Sequence, residues 1–426
     1  MSAALPPGAW APAHAVARRL LSPIQRFLQV EAASGLVLIA ATVIALVWAN
    51  SPWSSSYHHL WHTELSVSLD SWSFARPLHF WVNDGLMTIF FFVVGLEIRR
   101  EMHEGELSDL RRAALPLVAA VGGMLAPAAI YAAFNVGRAG SAGWGVPMAT
   151  DIAFAVGVLT LLGRRVAPAL RVLLLALAVI DDIGAILVIA VFYSAGIDAD
   201  GLLVVAAGLT GIALLKAIGV RIPTVYVLPG LVLWAGMYQT GIHPTLAGVV
   251  LGLMTPVRAW SRAVDDFEPE SPAAHLQHVL HRWVAFVIMP LFALANAGVQ
   301  FGGASLAGDG WLVFVGIVLG LGAGKPIGIF LACRASIFAR VAVRPRDVSV
   351  AGLGVVGLVA GIGFTMSLFI AQLAFPPGPL LETAKLAILI GSFLAALVGL
   401  TVGAVVLRPT TTKPASEHEA ERSTEL

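Results

Sequence analysis

Apolar residues run through this chain in long stretches, and the stretches recur twelve times. A helix rises about 1.5 Å per residue, so about 20 apolar residues cross the hydrocarbon of a bilayer. Stretches of that kind occupy residues 34–51, 78–98, 113–134, 146–162, 168–193, 201–219, 222–240, 242–255, 283–300, 311–333, 349–374 and 380–407, those at 146–162 and 242–255 being short. Of the 426 residues 58% are hydrophobic and only 12% charged, where a soluble protein carries roughly 25% charged residues. A water-soluble globule, a disordered chain, collagen and a coiled coil are all excluded. A net charge of +1 leaves no basic footprint for nucleic acid. Cys333 is the one cysteine, so there is no disulfide framework and no cysteine-based zinc site. The fold class read from the residues is an all-α polytopic membrane protein of twelve transmembrane helices.

The basic residues orient the spans. An even number of crossings leaves both termini on one side. With that side cytoplasmic, Arg76, Arg138 and Lys385 fall outside, Lys325 falls within the membrane, and the rest of the 26 Lys and Arg lie inside, as the positive-inside rule requires. Residues 1–33 carry Arg18, Arg19 and Arg26 without the apolar core and cleavage site of a signal peptide, and are expected to form a cytoplasmic arm. Residues 408–426 are polar and are expected to be a disordered cytoplasmic tail. One outer loop is patterned. In residues 64–76, Leu65, Val67 and Leu69 alternate with serines, Asp70-Ser71 offers a turn, and Trp72 and Phe74 alternate again. This predicts a β-hairpin, with an edge free to pair with a second copy or to lie alone on the membrane surface.

Ionisable groups inside apolar spans are expensive and point to function. Asp181 and Asp182 lie mid-span in Leu-Ala-Val-Ile-Asp-Asp-Ile-Gly-Ala, and Lys325 in Gly-Ala-Gly-Lys-Pro-Ile-Gly. A structural ion pair accounts for one aspartate with Lys325 and leaves the other unexplained. Neighbours on a helix point about 100° apart, so one of the two pairs with Lys325 while the other faces elsewhere. Two adjacent carboxylates in a low dielectric resist ionising together and titrate as a coupled pair. Such a pair holds a proton or a small hard cation, such as sodium, lithium, calcium or magnesium.

Two spans are interrupted. Pro147 and Thr150-Asp151 break the span at 146–162, and Gly357, Gly361 and Gly363 with Thr365 break that at 349–374. Each is the middle of a trio, 113–193 and 311–407, and paired discontinuous spans in matching positions mark a transport site. Broken helices leave their ends inside the membrane, where Asp151 balances exposed N-termini and Lys325 exposed C-termini. Gly316, Gly320, Gly324 and Gly328 recur every four residues as a face for close helix packing. Pro326 after Lys325 excludes a phosphate loop.

A second group lies at the cytoplasmic side: Glu97, Arg100 and Glu101 at the end of the second span, with His278 and His281 just before the ninth. Histidine titrates near neutral pH, so the group reads either as a pH-sensing network or as solvated loop charge. His243, in Gly-Ile-His-Pro-Thr, sits at an outer span boundary, where a lone histidine is commonly structural. His275, His278 and His281 lack the spacing of a zinc hydrolase.

With these residues assembled, the sequence resembles the NhaA-type sodium/proton antiporters over nearly all of residues 24–407. The resemblance is carried, in order, by Phe-Phe-Phe-Val-Val-Gly-Leu-Glu-Ile-Arg-Arg-Glu (90–101), Met-Ala-Thr-Asp-Ile-Ala-Phe (148–154), Ala-Val-Ile-Asp-Asp-Ile-Gly-Ala-Ile (178–186), Gly-Ile-His-Pro-Thr-Leu-Ala-Gly (241–248), Pro-Leu-Phe-Ala-Leu-Ala-Asn-Ala-Gly (290–298), Gly-Lys-Pro-Ile-Gly (324–328) and Gly-Ile-Gly-Phe-Thr-Met-Ser (361–367). It implies two inverted-topology repeats, about 113–193 and 311–407, with discontinuous helices crossing in spans 4 and 11. It implies a homodimer joined through the hairpin, and no cofactor. The implied activity is electrogenic exchange of cytoplasmic sodium or lithium for external protons across the bacterial inner membrane, activated at alkaline pH, with no enzymatic reaction.

Carried residue by residue, the resemblance makes Asp182 the principal cation site, aided by Asp181, which also pairs with Lys325. It places Thr150 and Asp151 at the crossing, and assigns Glu97, Arg100, Glu101, His243, His278 and His281 to the pH response. Gln277 departs from the glutamate usual before the position of His278. Rival readings are an intramembrane aspartyl protease using Asp151 with Asp182, a calcium or potassium exchanger, a proton-coupled organic solute carrier, and a sodium channel.

Overall fold

Bilayer hydrocarbon offers no partner to backbone N–H and C=O groups, so spanning segments fold as helices. The computed structural model of the chain describes residues 33–407 apart from 70–71, 106–107, 195, 197, 221, 257–270 and 346. Residues 1–32 and the tail 408–426 lie outside the described residues, as does the tip of the hairpin. Within them the fold is helical except for one two-stranded sheet.

Helix α1 (Ala33–Ala49) bends by 113° into α2 (Ser54–His62). Strands β1 (Glu64–Leu69) and β2 (Trp72–Pro77) form an antiparallel hairpin in the register Glu64↔Pro77 to Leu69↔Trp72. Then follow α3 (Leu78–His103), α4 (Leu110–Asn135), a 3-10 helix (Ser141–Met148), α5 (Ile152–Leu161) and α6 (Pro168–Phe192). Helices α7 (Ala199–Ala217), α8 (Val227–Thr240) and α9 (Leu246–Met254) precede α10 (Pro272–Asn296) and α11 (Asp309–Phe338). Helices α12 (Val350–Ala360), α13 (Phe364–Ala374) and α14 (Pro379–Val406) complete the chain.

Among the described residues seven helices are long and apolar enough to cross a membrane, or up to ten if each bent pair is one span. Besides α1/α2, the bent pairs are the 3-10 helix with α5 (42°) and α12 with α13 (47°), at the two predicted interruptions. Helices α8 and α9 are 14 and 9 residues long and are parted by a turn at Gly241, whose φ of +85° favours glycine. The largest boundary difference from expectation is at the ninth stretch. That stretch, read as 283–300, is a helix that begins at Pro272. Its first three turns carry His, Gln and Arg, so apolar content alone does not reveal them.

Close packing uses the glycines. Gly316 of α11 faces Tyr131 and Asn135 of α4, Gly324 faces Pro127, and Gly328 faces Gly122 and Ala126. A Cβ on Gly328 would stand 2.1 Å from the Gly122 carbonyl oxygen, so the two backbones meet at that point. The helices fall into two packed groups. One holds α4, the 3-10 helix, α5, α6 and α11–α14; the other holds α3 and α7–α10. They meet mainly through α3 against α6 and α10 against α13. The hairpin sits at one end of the second group: Arg76 lies over the rings of Phe74, Phe80 and Tyr238, 5.3, 5.9 and 5.5 Å from their centroids.

Candidate functional site

Pro147 and the polar Thr150-Asp151 stop one helix; Gly361 and Gly363 stop another. The two breaks are in contact. The Asp151 N–H donates to the Ile362 carbonyl at 2.7 Å. Four helix ends thus meet in the interior, two with exposed N–H groups and two with exposed carbonyls.

Asp151 serves both N-terminal ends. Its Oδ1 accepts from the Phe154 N–H of α5 at 3.0 Å, and its Oδ2 from the Thr365 N–H of α13 at 3.1 Å and from the Thr365 hydroxyl. The C-terminal ends are divided between two residues. Lys325 Nζ donates to the Met148 carbonyl at the end of the 3-10 helix. The Ala360 carbonyl at the end of α12 lies instead 2.9 Å from the Thr150 hydroxyl. A carboxylate thus sits on the positive ends, and an ammonium with a hydroxyl on the negative ones.

Asp181 and Asp182 diverge as helix geometry requires. Asp181 Oδ2 is 2.5 Å from Lys325 Nζ and accepts from the Thr150 hydroxyl at 2.7 Å. Thr150 has one hydroxyl proton, so it chooses between Asp181 and Ala360. Asp182 is 2% exposed, and its Oδ1 has no hydrogen-bond partner among the described residues. It lies within electrostatic reach of Asp181, Glu97, Lys325 and Asp151. Lys325 follows directly on a π-helical turn, Gly320–Gly324, where one extra residue re-aims the side chains beyond it.

The other candidates lie apart from the crossing. Glu97, Arg100 and Glu101 are on the last turns of α3. Gln277 of α10 donates to Glu97 Oε1 at 3.1 Å, and its Oε1 is 3.5 Å from the Arg100 guanidinium. His278 is exposed and His281 half-buried; both lie on the continuous helix α10 rather than ahead of a span. His243 stands between α8 and α9, where its Nε2 donates to the Tyr193 carbonyl at 2.6 Å. Tyr193 ends α6, and its hydroxyl donates to the Ala142 carbonyl at 2.8 Å, tying His243 to the 3-10 helix.

Sequence reasoning missed two supports. Ser392 of α14 accepts from the Phe364 N–H at 3.0 Å, and Ser367 donates to the Val146 carbonyl at 2.7 Å. Ser367 was within reach, as a hydroxyl beside the broken stretch. Ser392 carries no local signal, because its partner is 28 residues away.

The family described as Na+/H+ antiporter 1 matches residues 25–402. The Na(+)/H(+) antiporter NhaA 2 of Sorangium cellulosum is 53% identical, over 99% of this chain and 98% of its own. That of Myxococcus xanthus is 51% identical over the same shares. The Na(+)/H(+) antiporter NhaA of a Janthinobacterium is 49% identical over 93% of this chain and 96% of its own. The chain is a multi-pass bacterial membrane protein and a transporter, not an enzyme, and it belongs to the Na+/H+ antiporter family of the NhaA type.

Proposed function

We propose that this chain exchanges cytoplasmic sodium or lithium for external protons across the bacterial inner membrane, electrogenically and with activation at alkaline pH, in sodium and pH homeostasis. The observation that carries the reading is the contrast between the two adjacent aspartates. Both keep a buried Oδ1 without a hydrogen-bond partner among the described residues, but Asp181 is held through its Oδ2 by Lys325 and Thr150, while Asp182 has no such ion pair or hydrogen bond among them. A buried carboxyl in that condition requires either a proton or a cation.

Exchange is competition between the two. Sodium entering from the cytoplasm takes the oxygens of Asp182, with Asp181 as second ligand, and displaces protons. Thr150 follows by donating to Ala360 in place of Asp181. Freed of its carboxylate, Lys325 keeps the Met148 carbonyl. Rocking of one helix group against the other then exposes the loaded site outward, where the cation leaves and protons return. In the proton-loaded form both carboxyls carry a proton, and the Asp181–Lys325 pair forms as Asp181 gives its proton up, so the two titrating carboxylates permit two protons per cation, which makes the exchange electrogenic. Asp151 and Lys325 compensate the helix ends throughout. Glu97, Arg100 and Glu101 with His278 and His281, and His243 at the other end, supply the pH response. The reading includes twelve spans in two inverted repeats, both termini cytoplasmic, and a dimer paired through the hairpin.

A calcium exchanger is disfavoured, because calcium takes six to eight oxygens and usually several carboxylates, and among the described residues no three acidic, His or Cys side chains converge. An aspartyl protease would pair Asp151 with Asp182, whereas Asp151 is committed to two helix ends.

The test uses everted membrane vesicles from cells lacking other antiporters. The lumen is acidified by respiration and followed with a pH-sensitive dye. Sodium, lithium, potassium and calcium are added separately at pH 7 and pH 8.5. Sodium or lithium is expected to dissipate the gradient, faster at the alkaline pH. Dissipation by calcium alone, or by no ion from inserted protein, overturns the reading.

A further inference from the structure

Asn83, Asn296 and Gln372 take no part in the crossing, yet they bring polar side chains from three helices together at the hairpin end. Asn296 Nδ2 donates to Asn83 Oδ1 at 2.8 Å, and Asn83 Nδ2 to Gln372 Oε1 at 2.5 Å. Gln372 Nε2 donates to Asn296 Oδ1, closing a ring of three amides. His79 Nε2 donates to the same Asn296 oxygen at 2.9 Å. Asn83 and Asn296 are buried and Gln372 half-buried.

Beneath this ring the same three helices present an aromatic layer. The ring of Phe369 on α13 lies 5.3 Å from that of Phe91 on α3 and 6.2 Å from that of Phe292 on α10, and all three are buried. In each helix the phenylalanine is nearer the middle of the helix bundle than the amide. On α13, Thr365, Phe369 and Gln372 fall at i, i+4 and i+7, so they share one helix face. That face meets Asp151 first, then the aromatic layer, then the amide ring, which lies about 10 Å from the crossing.

Both layers join α13, which belongs with the crossing, to α3 and α10 of the other group. The Gln277 contacts at the opposite end join α3 to α10, within one group. At the hairpin end, then, a polar ring crosses the group boundary.

We propose that the amide ring and the aromatic layer form the outer gate of the cation path, and that the hydrogen bonds of Gln372 are the latch broken each time the site opens toward the hairpin side. The proposal rests on the antiport reading and adds residues that reading does not use. Alternating access needs a closure between the moving groups that is specific and reversible. Uncharged amides meet both needs, because water replaces their hydrogen bonds at little net cost, whereas a buried ion pair would hold the gate shut. Amide oxygens also suit a passing hard cation, so an open latch lines the exit with ligands.

The test joins the latch covalently. In a chain whose buried Cys333 is replaced by alanine, Asn83→Cys and Gln372→Cys are combined and the protein is reconstituted in proteoliposomes. Cross-linking with an oxidant or a short bifunctional thiol reagent is expected to lower sodium-dependent proton exchange at least about tenfold, with recovery after reduction of the disulfide. Each single cysteine variant is expected to ignore the oxidant. Full exchange after complete cross-linking overturns the gate alone, as does failure of the inserted pair to cross-link. Absence of exchange before oxidation, in the pair and in the Cys333→Ala parent, overturns the antiport reading and the gate with it. A second variant guards against a folding defect. Gln372→Leu is expected to raise labelling of Phe369→Cys by an impermeant thiol reagent from the hairpin side about threefold or more, and unchanged labelling overturns the latch.

Discussion

The crossing and the Glu97 cluster are built from similar side chains in opposite surroundings. At the crossing Asp151, Asp181, Asp182 and Lys325 are at most 2% exposed. At the end of α3, Arg100 is exposed and Glu97 half-buried, and a neutral glutamine, Gln277 of α10, donates to Glu97. Burial makes each charge at the crossing costly, so every one must have a partner, a helix end, a proton or a cation. Solvent screens the cluster, where the same charges act weakly and adjustably. The two regions are not isolated: Glu97 lies within electrostatic reach of Asp182, which gives the adjustable region a direct line to the costly one. The difference separates residues that perform the exchange from residues that set when it runs.

Removing the uncompensated carboxylate breaks the contrast most completely. Asp182→Asn keeps size and hydrogen-bonding capacity and removes the titrating group. Vesicle exchange is expected to fall to background, with the melting temperature of the purified protein undiminished. Lys325→Ala acts on stability next. It strands Asp181 without its cation and is expected to destabilise by about 3–5 kcal/mol, read as a drop in melting temperature. Replacing Asp181 and Lys325 together by leucine and methionine removes both charges and is expected to recover most of that loss without restoring exchange.

Asp151→Asn weakens the capping of two half-helices and is expected to cost about 1–2 kcal/mol, with slower exchange and an intact fold by circular dichroism. Gln277→Glu is the smallest change. A second carboxylate beside Glu97 stabilises the protonated forms of titrating neighbours, so deprotonation requires higher pH. The alkaline activation midpoint is expected to rise by less than about one pH unit, with stability altered by under about 0.5 kcal/mol. Salt that abolishes the shift identifies it as screened surface electrostatics.

Much of this contrast was legible along the chain. Long apolar runs located the helices, Pro147, Gly361 and Gly363 marked the breaks, and the adjacency of Asp181 and Asp182 required them to face different partners. The alternating pattern at 64–69 placed the first strand. What was hidden depends on pairings between distant residues. Nothing local says that Thr150, rather than Lys325, meets the end of α12, since that follows from how two breaks cross. The π-helical turns at Trp81–Leu86, Val284–Ile288 and Gly320–Gly324 leave no periodic signature, because each adds one residue to an otherwise regular helix. The polar start of α10, with His275, Gln277, His278, His281 and Arg282, carries no apolar signature. Asn83, Asn296 and Gln372 stand far apart along the chain, and the fold brings them together as one ring.

The central claim is that sodium and protons compete for Asp182. It is tested most directly by adding sodium to purified protein in weakly buffered detergent solution at alkaline pH, following released protons with a pH dye and bound sodium with a radioactive tracer. The account predicts protons released in step with sodium bound, and neither signal from Asp182→Asn. Proton release of equal size from Asp182→Asn, or sodium bound by the unaltered chain with no proton released, would contradict it.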